Sequence, residues 1–146
     1  MISIACDHGG YELKEVIKKH LTERGFEYTD RGTYSTDSVN YPEYAHLVCK
    51  DIQDGTSDTG ILVCGTGIGM SIAANKHKGI RAAVVSDTFS ARLTKMHNNT
   101  NVLCLGGRVV GNGLALDIVD SYLDAKFEGG RHTDRINMIK DLEDKF

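Results

Sequence analysis

Thr59-Gly60-Ile61-Leu62-Val63-Cys64, followed at once by Gly65-Thr66-Gly67-Ile68-Gly69, decides the fold of this chain. The first segment runs apolar without polar alternation, which is the pattern of a strand buried on both faces of a parallel sheet. The glycine-rich segment is a turn, and a short helix over roughly Met70 to Asn75 follows it. A buried strand, a tight turn and a helix make one unit of a layered α/β domain.

The same unit recurs to either side. Upstream, Ile2 to Cys6 reads as a strand and leads into Tyr11 to Arg24, where Leu13, Val16, Ile17 and Leu21 mark one helical face before Gly25 stops it. A weak strand at Phe26 to Thr29 and a polar loop from Asp30 to Asn40 precede a helix that opens at Tyr41-Pro42, where proline suits the first turn. Downstream come a strand from Ile80 to Val85, a helix from about Thr88 to Met96 capped by Ser86 or Asp87, and a strand from Asn101 to Leu105. Leu114, Ile118, Val119, Tyr122 and Leu123 then define a further helix. Five such units predict a Rossmann-like, doubly wound, five-stranded parallel sheet with right-handed crossovers. A final helix, roughly Thr133 to Lys145, carries the stripe Ile136, Ile139, Leu142 and Phe146. That stripe either packs on its own domain or covers a second subunit.

At 146 residues the chain has the length of one domain, spanning 1–146. Its 40% hydrophobic and 25% charged residues, with a single proline, are those of a folded globule and exclude a disordered or fibrous chain. Seventeen basic against twenty acidic residues leave a net charge of −3, which gives no field for nucleic acid and no polybasic membrane patch. No apolar run reaches the ~18 residues of a membrane span and the N-terminus lacks the basic flank of a signal peptide, so a cytoplasmic location is expected. Cys6, Cys49, Cys64 and Cys104 form no C-x-x-C pair, so free thiols and no metal site are expected.

In open α/β sheets ligands bind beyond the carboxyl ends of the strands. The residues there are Asp7-His8-Gly9-Gly10, Cys64 to Gly69, Ser86-Asp87 and Gly106-Gly107-Arg108. Backbone N–H groups of Gly65 to Gly69 can hold a phosphate or a transient oxyanion. The spacing G-x-G-x-G is neither a Walker A loop nor a dinucleotide fingerprint, although Asp87 falls near the place of a ribose-binding acid. The same glycines also suit a purely structural turn. Cys64 faces the crevice as a candidate thiolate, or else is a small buried hydrophobe. A metal cluster of Cys6, Cys104, His8 and His97 has no supporting ligand spacing. His97 follows the helix that ends near Met96, where a histidine often only offsets the dipole. Arg131 and Arg135, four apart, can clamp a phosphate or line a solvated face.

Taken together, the residues resemble the ribose-5-phosphate isomerase B family, which includes the galactose-6-phosphate isomerase subunits. The resemblance rests on Ala5 to Gly10, Asp58 to Ala74, Gly79 to Ala82, His97 to Val102, Gly107 to Gly111 and Phe127 to His132, collinear over nearly the whole chain. It implies cofactor-free and metal-free interconversion of D-ribose 5-phosphate and D-ribulose 5-phosphate, a reaction of pentose phosphate metabolism. It also implies a homodimer or homotetramer with sites shared between subunits. By the same resemblance Cys64 is the base that moves a proton between C1 and C2, and His97 opens the furanose ring. Asp7, His8, Gly65, Thr66, Gly67, Ile68, Gly69, Asn98, Arg108, Arg131 and Arg135 match substrate-binding positions. Thr66 carries a hydroxyl that could also pass a proton between the substrate oxygens. Six-carbon sugar phosphates remain a rival substrate class, and a nucleotide-binding module without chemistry is the rival from another class.

Overall fold

A computed structural model describes Met1 to Lys145; Phe146, the last member of the predicted final stripe, lies outside the described residues. The chain runs β1 (Ile2–Cys6), α1 (Tyr11–Glu23), β2 (Tyr28–Asp30), α2 (Tyr41–Gln53), β3 (Thr59–Cys64), α3 (Ile68–Ala74), β4 (Ala82–Val84), α4 (Thr88–Asn98), β5 (Val102–Gly106), α5 (Asn112–Asp124) and α6 (Arg131–Lys145). All paired strands are parallel, in the order β2-β1-β3-β5-β4. The predicted doubly wound sheet is therefore the observed one.

The period of two along each strand divides the core. Ile4, Cys6, Ile61, Val63, Leu103 and Leu105 face α1, α4 and α5, meeting Leu13, Ile17, Ile118 and Tyr122. Ala5, Leu62, Cys64, Val102 and Cys104 face α2 and α3, meeting Val48, Cys49, Met70 and Ala74. Central β3 is thus apolar throughout because both of its faces are covered.

Element bounds moved where packing or capping outweighed the pattern. The fourth strand is only Ala82–Val84, the length over which it pairs with β5, and Asn75 occupies its outer edge, its side-chain amide donating to Ala82 O at 2.9 Å and accepting from Ala82 N–H at 2.8 Å. Such a plug protects an edge that would otherwise offer free backbone groups. β2 starts two residues later than predicted and reaches Asp30, whose register partner is Ile4. α4 continues through Asn98 to a left-handed Asn99 cap (φ 44°), so His97 lies in its last turn and does not follow it. Asp87 caps that helix, accepting Ser90 N–H at 2.6 Å. α6 stands beside α4 with Ile139 and Leu142 exposed. Its far end is tied to the α3–β4 turn by Lys78 and Asp144, 2.8 Å apart, and by Glu143 accepting from Gly79 N–H.

Candidate active site

The ends of β1, β3 and β5 are knitted into one crevice at the carboxyl edge. Gly107 N–H donates to Cys64 O at 2.8 Å and Arg108 N–H to Gly65 O at 3.0 Å. Gly10 sits so close to Val63 that a Cβ there would strike its carbonyl, and Gly9 packs closely, though less tightly, on Gly65. Asp7, nearly buried, accepts N–H bonds from Gly9 at 2.8 Å and Gly10 at 3.2 Å through one carboxylate oxygen, which shapes that loop. His8 Nδ1 accepts from Val39 N–H at 3.2 Å, which leaves Nε2 as the ring's donor.

Cys64 differs from the other three thiols in its surroundings. Burial pushes Cys6 up to about 11, Cys49 up to about 12, and Cys104 well above the usual range. The sulfur of Cys64 accepts the Gly67 N–H at 3.1 Å, a bond that strengthens when sulfur is charged. Gly67 makes this possible with φ 80°, a conformation that favours glycine, against the Leu105 carbonyl. Thr66 Oγ1 accepts from Ile68 N–H at 3.2 Å, and its hydroxyl proton remains available to a ligand. Thr66 and Ile68 are exposed, and Gly69 carries the Tyr41 ring against its Cα, a neighbour that sequence spacing gave no means to find.

Two cavities open from this edge. One, about 240 Å³, is lined by His8, Gly9, Glu12, Thr36 and Arg108; the other, about 290 Å³, lies between Thr66, Ile68, Val84 and Val109. A larger cavity, about 510 Å³, lies elsewhere, under α6 between Ile80, Ala82, Thr94, Ile139 and Leu142. It has Asn98 on its rim but neither thiol nor imidazole, so size does not mark the chemistry here.

The other predicted residues collect at the opposite edge of the sheet. α4 leaves the carboxyl end of β4 and returns to the amino end of β5, so His97 and Asn98 lie beside the start of Val102–Gly106. β5 alone separates the two edges by about 13 Å, at roughly 3.3 Å per residue. The loop before α6 is pinned there by Glu128 N–H donating to Met96 O at 3.0 Å. Arg131 and Arg135 then project, exposed, from the first turns of α6. His132 stacks on His97 with ring centroids 4.2 Å apart and planes 11° from parallel, and Glu128 Oε2 lies 3.6 Å from His97 Nε2 and 3.5 Å from His132 Nε2. Sequence reasoning assigned Glu128 and His132 no role; their spacing of four was the available signal.

Cys6, Cys104, His8 and His97 do not gather around any common point. Among the described residues the one group with metal-ligating atoms within 4.8 Å of one another is His97, Glu128 and His132. An imidazole binds a metal in its own ring plane, and two nearly parallel stacked rings share no such point, so this group does not fit an ion. Asp87, the candidate ribose acid, has its carboxylate engaged in capping α4. Among the described residues no helix is long and apolar enough to cross a membrane.

A parallel α/β sheet with a thiol at a glycine turn, and with imidazole and guanidinium groups at its opposite edge, suits proton transfer on a small anionic substrate. Residues 2–139 match the family model described as Ribose/Galactose Isomerase, and the chain belongs to that family. It is 51% identical over 144 residues to ribose-5-phosphate isomerase B of Escherichia coli strain K12, covering 99% of this chain and 97% of that protein. Its structure matches ribose-5-phosphate isomerase B of Clostridium thermocellum with a TM-score of 0.97 and 51% identity over 99% and 97% of the two chains. The corresponding structure from Mycoplasma genitalium, with bound ribulose-5-phosphate, matches at a TM-score of 0.95 and 44% identity over 99% and 97%.

Proposed function

We propose that this chain interconverts D-ribose 5-phosphate and D-ribulose 5-phosphate, with Cys64 as the proton-transfer base and with each site assembled from two copies of the chain. The observation that carries the reading is the Cys64 sulfur held at the crevice by the Gly67 N–H. A C–H beside a carbonyl is a weak acid, so the enzyme must place a base and stabilise the enediolate that forms. The Cys64 thiolate takes the proton from C2 of the open aldose and returns it to C1. Backbone N–H groups of the glycine loop stabilise the charged oxygens, and the Thr66 hydroxyl passes a proton between O1 and O2.

Ring opening needs a group that can both give and take a proton, a role the imidazole of His97 can fill. Within one chain His97 and Cys64 lie at opposite edges of the sheet, so a second copy must bring its own His97, Asn98, Arg131 and Arg135 to the Cys64 crevice. There the arginine pair, with His8 and Arg108, anchors the phosphate, and that remote binding orients the reacting end. The exposed Ile68, Ile72, Val84 and Phe89 provide apolar surface for such a contact. No step calls for a cofactor or metal.

Purified protein assayed on five- and six-carbon aldose phosphates should turn over ribose 5-phosphate. Equilibrium binding of a nucleotide with no isomerase activity would instead support the binding-module reading, which the engaged Asp87 carboxylate disfavours. Removing the guanidinium of Arg131 or Arg135 should raise KM by roughly 10- to 100-fold, the equivalent of about 1.5 to 3 kcal/mol of charge-assisted bonding, with a smaller fall in kcat. Steady-state kinetics check this, and an unchanged KM in both variants would remove the pair from phosphate binding.

A further inference from the structure

We propose that Glu128 is a positioning residue for His97: its carboxylate, set against the edges of two stacked imidazoles, fixes the proton of that pair on His97 and leaves His132 as a neutral packing partner. The inference rests on the ring-opening role proposed for His97 and specifies how that ring is kept ready for it.

Two imidazolium rings stacked 4.2 Å apart would repel, so the pair holds one proton more readily than two. The rings are not equivalent. The His132 side chain is 9% exposed and that of His97 is 35% exposed, so burial weighs more heavily on a charge at His132. Burial, together with the charges of His97, Arg131 and Arg135, holds His132 below its usual range, against the opposing pull of Glu128. His97 also lies in the last turn of α4, where the helix dipole favours a cation.

The remaining charges around the pair are accounted for. From α4, Lys95 directs its ammonium to Thr100 O and over the Tyr122 ring. From α6 come Arg131, Arg135 and, in the first turn, Asp134. From the connecting loop comes Glu128, whose own N–H is bonded to Met96 O, so its backbone is anchored to the turn that carries His97. At 3.5 to 3.6 Å the carboxylate oxygen is too far for a hydrogen bond to either ring, yet close enough to act as the counter-ion of a protonated His97.

The test is a histidine-labelled titration of the full-length protein followed by NMR, with Glu128→Gln and Glu128→Asp as variants. Glu128 is half exposed, and the isosteric amide leaves its backbone anchor in place. In the unaltered protein His97 should protonate at higher pH than His132. Glu128→Gln should lower the His97 midpoint by about half a pH unit or more, and Glu128→Asp should restore part of it. The limb of the kcat/KM profile that reports His97 should move with it for the cyclic aldose, while single-turnover exchange at C1 of the open-chain ketose stays unchanged. A His97 midpoint identical in the Glu128→Gln variant, or His132 protonating first, would overturn the proposal. Failure of the ring-opening reading looks different: His97→Asn would leave cyclic-aldose turnover intact, while Glu128→Gln in the chain that keeps His97 would still shift the His97 midpoint.

Discussion

Cys64→Ala should lower aldose–ketose turnover by roughly 10²- to 10⁴-fold, the range that a positioned base contributes, while the protein stays folded. The sulfur is the proton-accepting group held directly against the glycine loop, and the Gly67 N–H that supports it cannot take a carbon-bound proton itself. The structural cost is modest. Alanine removes one atom from the cluster around Leu62 and Met70 and leaves one N–H without its acceptor, about 1 to 2 kcal/mol together. Cys64→Ser, which keeps an acceptor for Gly67, should be equally slow, because a serine hydroxyl stays protonated near neutral pH. Cys49→Ala is the control: that thiol lies within α2, is pushed up to about 12 by burial, and faces no cavity used by the reaction, so turnover should be near normal. Steady-state rates with circular dichroism on each variant decide the matter, and near-normal turnover in folded Cys64→Ala would remove Cys64 from the mechanism.

The second large effect concerns stability. Lys14, fully buried in α1, donates to Asp30 Oδ1 at 2.7 Å and to Thr33 O at 2.6 Å. Asp30 also meets Lys18 at 2.8 Å and accepts from Gly32 N–H at 2.9 Å. Burial alone would raise the Asp30 carboxyl, but hydrogen bonds from Lys14 and Lys18 outweigh it and hold the group below its usual range. Asp30→Asn leaves the Lys14 ammonium buried without a counter-ion, which costs about 3 to 5 kcal/mol. Because the folded carboxyl is depressed, its contribution is fully present above the ordinary value of 3.8 and is lost as pH falls through the lower folded value. Urea midpoints should therefore differ widely between Asp30→Asn and the unaltered protein at pH 7, and the gap should narrow below pH 4. A gap under about 1 kcal/mol at pH 7, or one that widens in acid, would contradict this ion-pair assignment.

Both networks were unequally legible in the sequence. Buried β3 and its glycine turn were plain because their composition answers to one physical demand, a strand covered on both faces with the chain then turning back sharply. α1 and α2 were plain because each buries a single stripe. Short elements were not: β4 keeps three residues because it pairs with β5 only from Ala82 to Val84, a register that no local pattern encodes. Lys14 sat among apolar positions of α1 with nothing to signal that Asp30, on the next strand, would receive it. At the site, the residues that follow strands were correctly gathered at the carboxyl edge. The edge on which His97 lies follows from the crossover rule, since a helix joining parallel strands ends at the amino end of the next one, but its neighbours on α6 do not. Glu128 was invisible as a partner of His97 because their proximity comes from the Glu128–Met96 backbone bond, which leaves no mark in residue spacing.

The separation of Cys64 from His97 within one chain makes the composite site the most direct point of test. Co-expression of Cys64→Ala and His97→Asn chains carrying different tags, followed by tandem purification, isolates a mixed dimer. In that dimer one site combines the intact Cys64 of one chain with the intact His97 of the other, and the second site lacks both. Assayed on ribose 5-phosphate, it should recover about half the activity of the unaltered dimer, far above either parent variant, because one of two symmetric sites is whole. A mixed dimer no more active than the average of its two parents would show that each site is built within a single chain.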